Sequence, residues 1–313
     1  MTAPSTPTHT ITFPSHGATC AAWHVPATTD ALAGPRGRPC VVMAHGFGAT
    51  RDSGLLTFAR PFADAGLDTL VFDYRGFGDS TGTPRQHVTF RRQREDYHAA
   101  LDAARHLPDV DRDRIALWGT SYAGGHVVAV AAQDRRVAAA IALTPATDGL
   151  ASLVQIGRTA GIGLLLRATG HGLRDAAHAL AGLPPHHIPI VARPGDTAII
   201  TAPGALEAYT STAGPTWRNE VCARTALDAA LNRPTTSASR TTCPILFQIG
   251  TDDRVAPPAA ALRTARLAGP DAQVHRYPVD HFDVYTGRWQ QRVLADQIEF
   301  LSSVLASRSA RRA

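Results

Sequence analysis

Short apolar runs that end at a glycine or a proline recur along this 313-residue chain, and they limit its fold more than any other feature. Two β-like runs, Thr10–Phe13 and Ala21–Val25, precede them near the start of the chain. Uninterrupted apolar runs of this kind are typical of strands that are buried on both faces of a sheet. The runs are Cys40–Ala44, Asp68–Tyr74, Ile115–Trp118, Val137–Leu143 and Ile245–Ile249, with Gln273–Tyr277 as a sixth.

Segments with helical patterns lie between these runs. In the first of them Leu55, Phe58 and Phe62 share one face, and Pro61 inside the pattern predicts a break or a restart of the helix. The alternation of strands and helices predicts an α/β fold in which helices cover both faces of a mostly parallel sheet. The other predicted helices are Arg91–His106, Tyr122–Gln133, Pro257–Leu267 and a C-terminal helix with an apolar stripe at Leu294–Leu305.

The alternation stops between Thr144 and Thr242, in a stretch rich in Ala, Gly and Leu and interrupted by prolines. Helix-like pieces occur within it at Leu150–Ala168 and Gly204–Ala213. Because the strand pattern resumes directly afterwards, we interpret residues 146–239 as an inserted helical cap rather than as a second domain. The core then comprises residues 10–145 and 240–306, and residues 1–9 and 307–313 are expected to be flexible termini.

Composition argues against several classes of partner. The net charge of +5 is carried by 31 arginines and no lysine, and the arginines are scattered, so no nucleic-acid partner is expected. No apolar run is long enough to span a bilayer and no secretory signal is visible, so no membrane partner is expected. The four cysteines form no CxxC pair, which favours reduced thiols and a cytoplasmic location. The oligomeric state stays open, with a homodimer as one alternative.

A serine between small residues follows the run Ile115–Trp118, in the order Gly119, Ser121, Ala123. A serine on a sharp turn between a strand and a helix holds its hydroxyl at the carboxyl edge of the sheet, and the crowded turn needs small neighbours. Ala123 stands where the second glycine of G-x-S-x-G is usual, and two glycines directly after it keep the region small. The pattern predicts Ser121 as a nucleophile.

A serine hydroxyl needs a base that removes its proton and a third group that orients the base. On a scaffold with this serine turn, the acid and the histidine follow later in the chain, in that order. Asp252 and Asp253 both follow the run Ile245–Ile249, and we choose Asp253, with Asp252 as the alternative. His281 lies on a loop after the last predicted strand and is the predicted base.

Acyl transfer also requires backbone N–H groups that stabilise the negative oxygen of the tetrahedral intermediate. One donor should be the N–H of Tyr122, directly after the nucleophile, and the other should come from the loop after Cys40–Ala44, at Phe47. His45 in that loop is interpreted as a structural hydrogen-bonding residue rather than as a base.

Five short segments stand out along the core: AHGFG at Ala44–Gly48, DYRGFGDS at Asp73–Ser80, GTSYAGG at Gly119–Gly125, GTDDRVAP at Gly250–Pro257 and DHFD at Asp280–Asp283. Together they resemble signatures of the α/β-hydrolase superfamily and occur in its order. This resemblance covers the core and implies an α/β-hydrolase fold with a catalytic Ser-His-Asp triad. The subgroup it is most similar to contains peptidase-like and thioesterase-like hydrolases, some of which accompany polyketide pathways, so acyl or polyketide substrates are implied.

Two further carboxylates are predicted to contact the substrate. Asp148 follows the strand run that ends before Pro145, and Asp280 stands before the histidine, where this superfamily often has a glycine. No cofactor or metal is expected. The glycine-rich segment Gly76–Gly82 lacks the spacing and the acidic residue of a dinucleotide site, and the pair His186-His187 lacks a third metal ligand.

The sequence predicts a serine hydrolase that cleaves an ester or thioester of a small acyl substrate through an acyl-enzyme. The alternatives are an acyltransferase or cyclase that uses the same triad without water, and an amidase or peptidase. A non-catalytic binding protein on the same scaffold would lack a triad residue, and none is lost here.

Overall fold

The computed structural model describes the backbone of residues 8–310 and the side chains up to residue 306. Its main sheet has the order β1-β2-β4-β3-β5-β6-β9-β10, in which β1, β2 and β4 pair antiparallel and all other neighbours pair parallel. Strands β7 and β8 form a separate antiparallel pair. The strands are β1 (His9–Ser15), β2 (Ala18–Val25), β3 (Arg38–Ala44), β4 (Asp68–Phe72), β5 (Val110–Thr120), β6 (Ala139–Leu143), β7 (His187–Ile188), β8 (Val221–Cys222), β9 (Ile245–Gly250) and β10 (Ala272–Tyr277).

Helices cover both faces of this sheet because its strands are apolar on both sides. In β3, Val41 and Met43 pack on the face covered by α1 and α9, whereas Cys40, Val42 and Ala44 pack on the face covered by α2, α3 and α8. The helices are α1 (Leu56–Asp64), α2 (Phe90–Arg105), α3 (Tyr122–Ala131), α4 (Gly149–Thr159), α5 (Ile162–Leu180), α6 (Ala205–Ser211), α7 (Thr225–Asp228), α8 (Pro258–Ala268) and α9 (Gly287–Ala310). The predicted α/β architecture is confirmed.

The structure differs from the sequence predictions at two positions where a helix was expected to break or to continue. Helix α1 continues through Pro61, because the burial of Phe58 and Phe62 stabilises it despite the missing N–H. The helix-like piece Leu150–Ala168 is instead divided between α4 and α5 at Gly161, whose φ of +85° lies in the region that favours glycine.

Secondary structure extends into the segments predicted as flexible termini. His9 pairs with His24 in the β1–β2 ladder, and residues 307–310 continue α9, so the ladder and the helix extend beyond the expected boundaries. The rest of the predicted termini, residues 1–7 and 311–313, lie outside the described part of the chain. Among the described residues, no helix combines the length and the apolar character needed to cross a membrane.

Residues 146–239, which we call the insert, connect β6 to β9 and carry α4 to α7 with the β7–β8 pair. Because β6 pairs parallel with β9, the insert must return to the amino edge of the sheet before the chain enters β9, and it leaves β6 at the carboxyl edge. This is also the edge at which β5 ends, directly before Ser121.

Candidate active site

Ser121 occupies a strained turn between β5 and α3. Its φ of 56° and ψ of −117° lie outside the regions that residues with a side chain prefer, and its N–H donates to the Leu143 carbonyl at 2.8 Å. A Cβ on Gly119 would lie 2.3 Å from the carbonyl oxygen of Ala123, so the turn closes only around a glycine at that position.

The second small position of the motif tolerates alanine. Ala123 lies in the first turn of α3, where a methyl group has room and is buried. The neighbouring backbone instead packs tightly against the next two residues, Gly124 and Gly125. A Cβ on Gly124 would meet Pro145 at 2.9 Å, and one on Gly125 would meet the Ala146 carbonyl oxygen at 2.2 Å.

The substitution Gly119→Ala is therefore expected to destabilise the protein by about 3 kcal/mol, because the added methyl group overlaps the backbone of the next helical turn. The matched control, Ala123→Gly, should cost only about 1 kcal/mol, the usual penalty for glycine in a helix. Urea unfolding of both variants measures the difference. Equal losses of stability would contradict this account of the turn.

The structure brings Ser121, His281 and Asp253 together. The Ser121 Oγ lies 3.0 Å from Nε2 of His281, and Nδ1 of the same ring lies 2.7 Å from Oδ2 of Asp253. All three residues are buried, with exposures of 8%, 1% and 6% in the order given. The serine, the imidazole and the carboxylate thus form one continuous hydrogen-bonded chain.

Asp253, rather than the alternative Asp252, contacts the histidine. The Oδ1 of Asp253 accepts the N–H groups of Val255 at 2.8 Å and of Ala256 at 2.7 Å, which leaves Oδ2 directed at the imidazole. Asp252 is exposed, and its backbone N–H donates to the Val279 carbonyl. The two carboxylates therefore differ in where the backbone directs them.

Phe47 and Tyr122 line the insert side of the space beside Ser121, and their backbone N–H groups have no partner among the described residues. A Cβ on Gly46 would lie 3.1 Å from the Ser121 Cβ, so a glycine lets this loop approach the serine. The rings of Phe47 and Tyr122 meet edge to face with centroids 5.3 Å apart. The sequence predicted these two N–H groups as the oxyanion donors.

A hydroxyl from the insert holds the Phe47 loop. The Tyr209 Oη donates to the Phe47 carbonyl at 2.7 Å and so ties the insert to the loop that carries the Phe47 N–H. Sequence reasoning missed Tyr209, because the pattern of its helix gives no sign that its hydroxyl reaches across to the core.

His45 is a structural residue in this arrangement. Its Nδ1 lies 3.0 Å from the Gly46 carbonyl oxygen, and burial lowers the pKa of its imidazole. The ring therefore stays neutral at physiological pH and supports the loop. The neighbouring loop is fixed by Arg51, whose guanidinium bridges the carboxylates of Asp73 and Asp79.

The two carboxylates predicted as substrate contacts are both held by local partners. Asp280 forms an ion pair with Arg254 and accepts the backbone N–H groups of Arg254 and His281. Burial raises the pKa of the Asp280 carboxyl, but these hydrogen bonds outweigh burial and hold the pKa below its usual range. Asp148 accepts two N–H groups at the start of α4 and pairs with Arg233 at 3.0 Å. Neither side chain lines the two cavities at Ser121, because each is held by these local partners.

Two cavities meet at Ser121, and Phe47 and Ile200 line both. The larger, which we call the insert cavity, has a volume of about 120 Å³ and an apolar lining that includes Leu153, Ile156 and Ile199. The smaller, which we call the histidine cavity, has a volume of about 50 Å³. Its lining includes His281, Phe282, Tyr209 and Tyr285.

Two phenol groups, those of Tyr209 and Tyr285, line the histidine cavity. Burial raises the pKa of Tyr285 to about 12, and burial also raises the pKa of Tyr209, so both phenols remain protonated at neutral pH. The Tyr285 Oη lies 2.5 Å from the Thr120 Oγ1. Sequence reasoning missed these residues also, since neither stands in a recognisable motif.

A model of the serine aminopeptidase S33 family matches residues 35–279, which span most of the chain. The chain is an α/β-hydrolase of this family. It is 38% identical over 297 residues to the quorum-quenching protein AidA of Acinetobacter baumannii, and the match covers 94% of each chain. This enzyme also has relatives among polyketide-pathway proteins. One is a polyketide transferase of a Penicillium species, which is 38% identical over 47% of this chain and 48% of its own length.

Solved structures give the same fold for this α/β-hydrolase. The α/β-hydrolase GrgF from a Penicillium species superposes with a TM-score of 0.80 at 25% identity, covering 96% of this chain and 99% of that one. The esterase Est1E from Butyrivibrio proteoclasticus, solved with ferulic acid, superposes with a TM-score of 0.63 at 18% identity, covering 95% and 99%. The predicted α/β-hydrolase fold is confirmed.

Proposed function

We propose that this α/β-hydrolase cleaves an ester or thioester of a small acyl substrate through an acyl-enzyme on Ser121. The observation that carries the proposal is the chain of contacts from Ser121 through His281 to Asp253, at 3.0 and 2.7 Å. A serine activated in this way, beside two N–H groups without partners, has the parts that acyl transfer requires.

The chemistry follows from these positions. The Ser121 Oγ attacks the carbonyl carbon while Nε2 of His281 takes its proton, and the N–H groups of Phe47 and Tyr122 stabilise the oxyanion. The bond to the leaving oxygen or sulfur then breaks, and the imidazolium returns the proton to the leaving group. Water, deprotonated by the same nitrogen, cleaves the acyl-enzyme to the free acid and restores the serine.

The insert acts in this proposal as a cap that shapes the acyl site. Leu153 and Ile156 of α4 and Ile199 line the apolar insert cavity, which suits the acyl chain. The histidine cavity lies on the other side of Ser121, and its phenol groups suit a polar leaving group. The cap also decides whether water or another nucleophile reaches the acyl-enzyme, so acyl transfer is the alternative reaction of the same site.

A signalling ester is the second substrate candidate. The relative named as a quorum-quenching protein matches along almost the whole chain, including the insert that forms the acyl cavity. A lactone is an internal ester, and its opening by Ser121 would follow the same steps. We propose an N-acyl lactone as the substrate to compare with linear esters and thioesters.

The cellular setting belongs to the proposal as well. All four cysteines, Cys20, Cys40, Cys222 and Cys243, are buried and none forms a disulfide. Reduced thiols support a cytoplasmic location.

A fluorophosphonate probe followed by peptide mass spectrometry tests the proposed nucleophile. The expected result is a single adduct, on Ser121. Prior acylation of the enzyme by a slowly hydrolysed ester should prevent this labelling. If the folded protein stays unlabelled while a control serine hydrolase reacts under the same conditions, the proposed function is wrong.

The substitution Ile156→Trp is expected to shorten the preferred acyl chain. Ile156 lines the insert cavity and α4 has no fully buried residue, so an indole fits there without breaking the core. In a series of p-nitrophenyl esters, kcat/KM should fall about tenfold or more for long chains and stay near the wild-type value for acetate. The control, Leu166→Trp, lies on the exposed side of α5, away from both cavities, and should leave the series unchanged. A parallel loss for all chain lengths would contradict the assignment of this cavity.

A further inference from the structure

A groove on the outer side of α4 collects three arginines next to the insert cavity. Arg158 lies on α4, Arg263 lies on α8, and Arg233 lies on the segment between α7 and β9. The groove has a volume of about 560 Å³, which makes it larger than either cavity at Ser121.

The groove carries an excess of positive charge. Of its four charged residues, the single acid, Asp148, is neutralised by Arg233 and by the N–H groups at the start of α4. The side chains of Arg158 and Arg263 form no ion pair and no hydrogen bond with any residue in the described part of the chain. Both side chains are exposed, whereas Arg75 and Arg224, which are buried or half-buried, are held by carboxylates. The two guanidinium groups are thus free to bind an anion.

The groove and the insert cavity share one wall. Leu153 and Ile156 on one side of α4 line the cavity, whereas Val154 and Arg158 on the other side line the groove. The same division holds on the facing loop, where Val255 lines the cavity and the residue two positions later, Pro257, lines the groove. A ligand that leaves the cavity between α4 and this loop therefore reaches the arginines.

We propose that this groove binds the phosphate groups of a phosphorylated acyl carrier, so that the substrate is an acyl thioester of a phosphopantetheine-type thiol. The proposal rests on the proposed acyl hydrolysis at Ser121 and names its substrate class. Guanidinium groups bind phosphate oxygens through charge-assisted hydrogen bonds. The exposed side chains of Leu150 and Val154 give the groove apolar surface against which a carrier arm can pack.

The test compares two thioesters of the same acyl group, hexanoyl-coenzyme A and the uncharged S-hexanoyl-N-acetylcysteamine. The double variant Arg158→Gln with Arg263→Gln should lower kcat/KM for the coenzyme A thioester about tenfold, since each exposed charge contact is worth up to about a factor of five. It should change kcat/KM for the uncharged thioester less than about twofold, and added salt should reduce the difference between the enzymes. The control, Arg266→Gln, lies on α8 outside the groove and should alter neither substrate.

A competition assay identifies the source of the anion. Coenzyme A should inhibit turnover of S-hexanoyl-N-acetylcysteamine by the wild-type enzyme, and pantetheine, which lacks phosphate, should inhibit much less. Inhibition by inorganic phosphate equal to that by coenzyme A would overturn the proposal in favour of a general anion patch. Equal losses on both thioesters in the double variant would overturn it too. Failure of the proposed function looks different, because the wild-type enzyme would then hydrolyse neither thioester.

Discussion

Replacing Ser121 by alanine is expected to lower kcat by about 10⁵-fold or more, down to the rate that the oxyanion donors and substrate binding alone can provide. The substitution removes the only hydroxyl within hydrogen-bond distance of Nε2 of His281 among the described residues. The acyl-enzyme cannot form without it. Single-turnover and steady-state hydrolysis of a p-nitrophenyl ester measure the loss, and the fluorophosphonate adduct should vanish with it.

The loss of activity in Ser121→Ala should not come from a loss of stability. Ser121 sits at a strained φ of 56°, and alanine occupies that conformation at a similar cost, so the free energy of unfolding should stay within about 1 kcal/mol of the wild-type value. Ser303→Ala on the exposed side of α9 serves as the matched serine control and should keep full activity. A Ser121→Ala variant that folds and retains more than about a hundredth of the activity would exclude this serine as the nucleophile.

Replacing Asp253 by asparagine is expected to lower kcat by about 10⁴-fold, which is the size of the effect known for this substitution in a serine triad. The side-chain oxygen of asparagine can keep the bonds from the N–H groups of Val255 and Ala256. Its NH₂ group then faces Nδ1 of His281 at the place of Oδ2, 2.7 Å away. A donor there forces the ring proton onto Nε2, so the imidazole can no longer accept the proton of Ser121.

The neighbouring aspartate supplies the control for this prediction. Asp252→Asn changes an exposed side chain that the histidine does not contact, and it should leave kcat within about twofold of the wild-type value. The pH dependence of kcat/KM of both variants reports whether the loss follows the imidazole. If Asp252→Asn proves the more damaging change, Asp252 rather than Asp253 orients the histidine in the active enzyme.

The local geometry of the serine turn could be predicted because it depends on residues close together in the chain. Gly119 is needed by a backbone contact with Ala123, only four residues away, and the helix after the turn follows from its apolar sequence. The order of serine, acid and histidine was equally predictable, since parallel strands bring their carboxyl ends to one edge. The choice between Asp252 and Asp253 is supported by the N–H groups of the loop that follows them.

The insert shows where sequence reasoning failed. Its helices were expected, but the break at Gly161 divided a predicted single piece, and Asp148 proved to be held by Arg233 from the far end of the insert. Contacts between residues so distant in sequence leave no periodic pattern behind. The hydrogen bond from Tyr209 to the Phe47 carbonyl crosses from the insert to the core in the same way.

The sequence by itself therefore determined the α/β-hydrolase core and the set of residues at its carboxyl edge, because apolar strands and short turns are encoded locally. Only the tertiary structure decided which aspartate meets His281, which carboxylates are bound elsewhere, and how two cavities and an arginine groove adjoin Ser121. The physical reason is that hydrogen-bond directions and cavity walls depend on side chains from distant segments, and their positions are set only when the insert packs on the core.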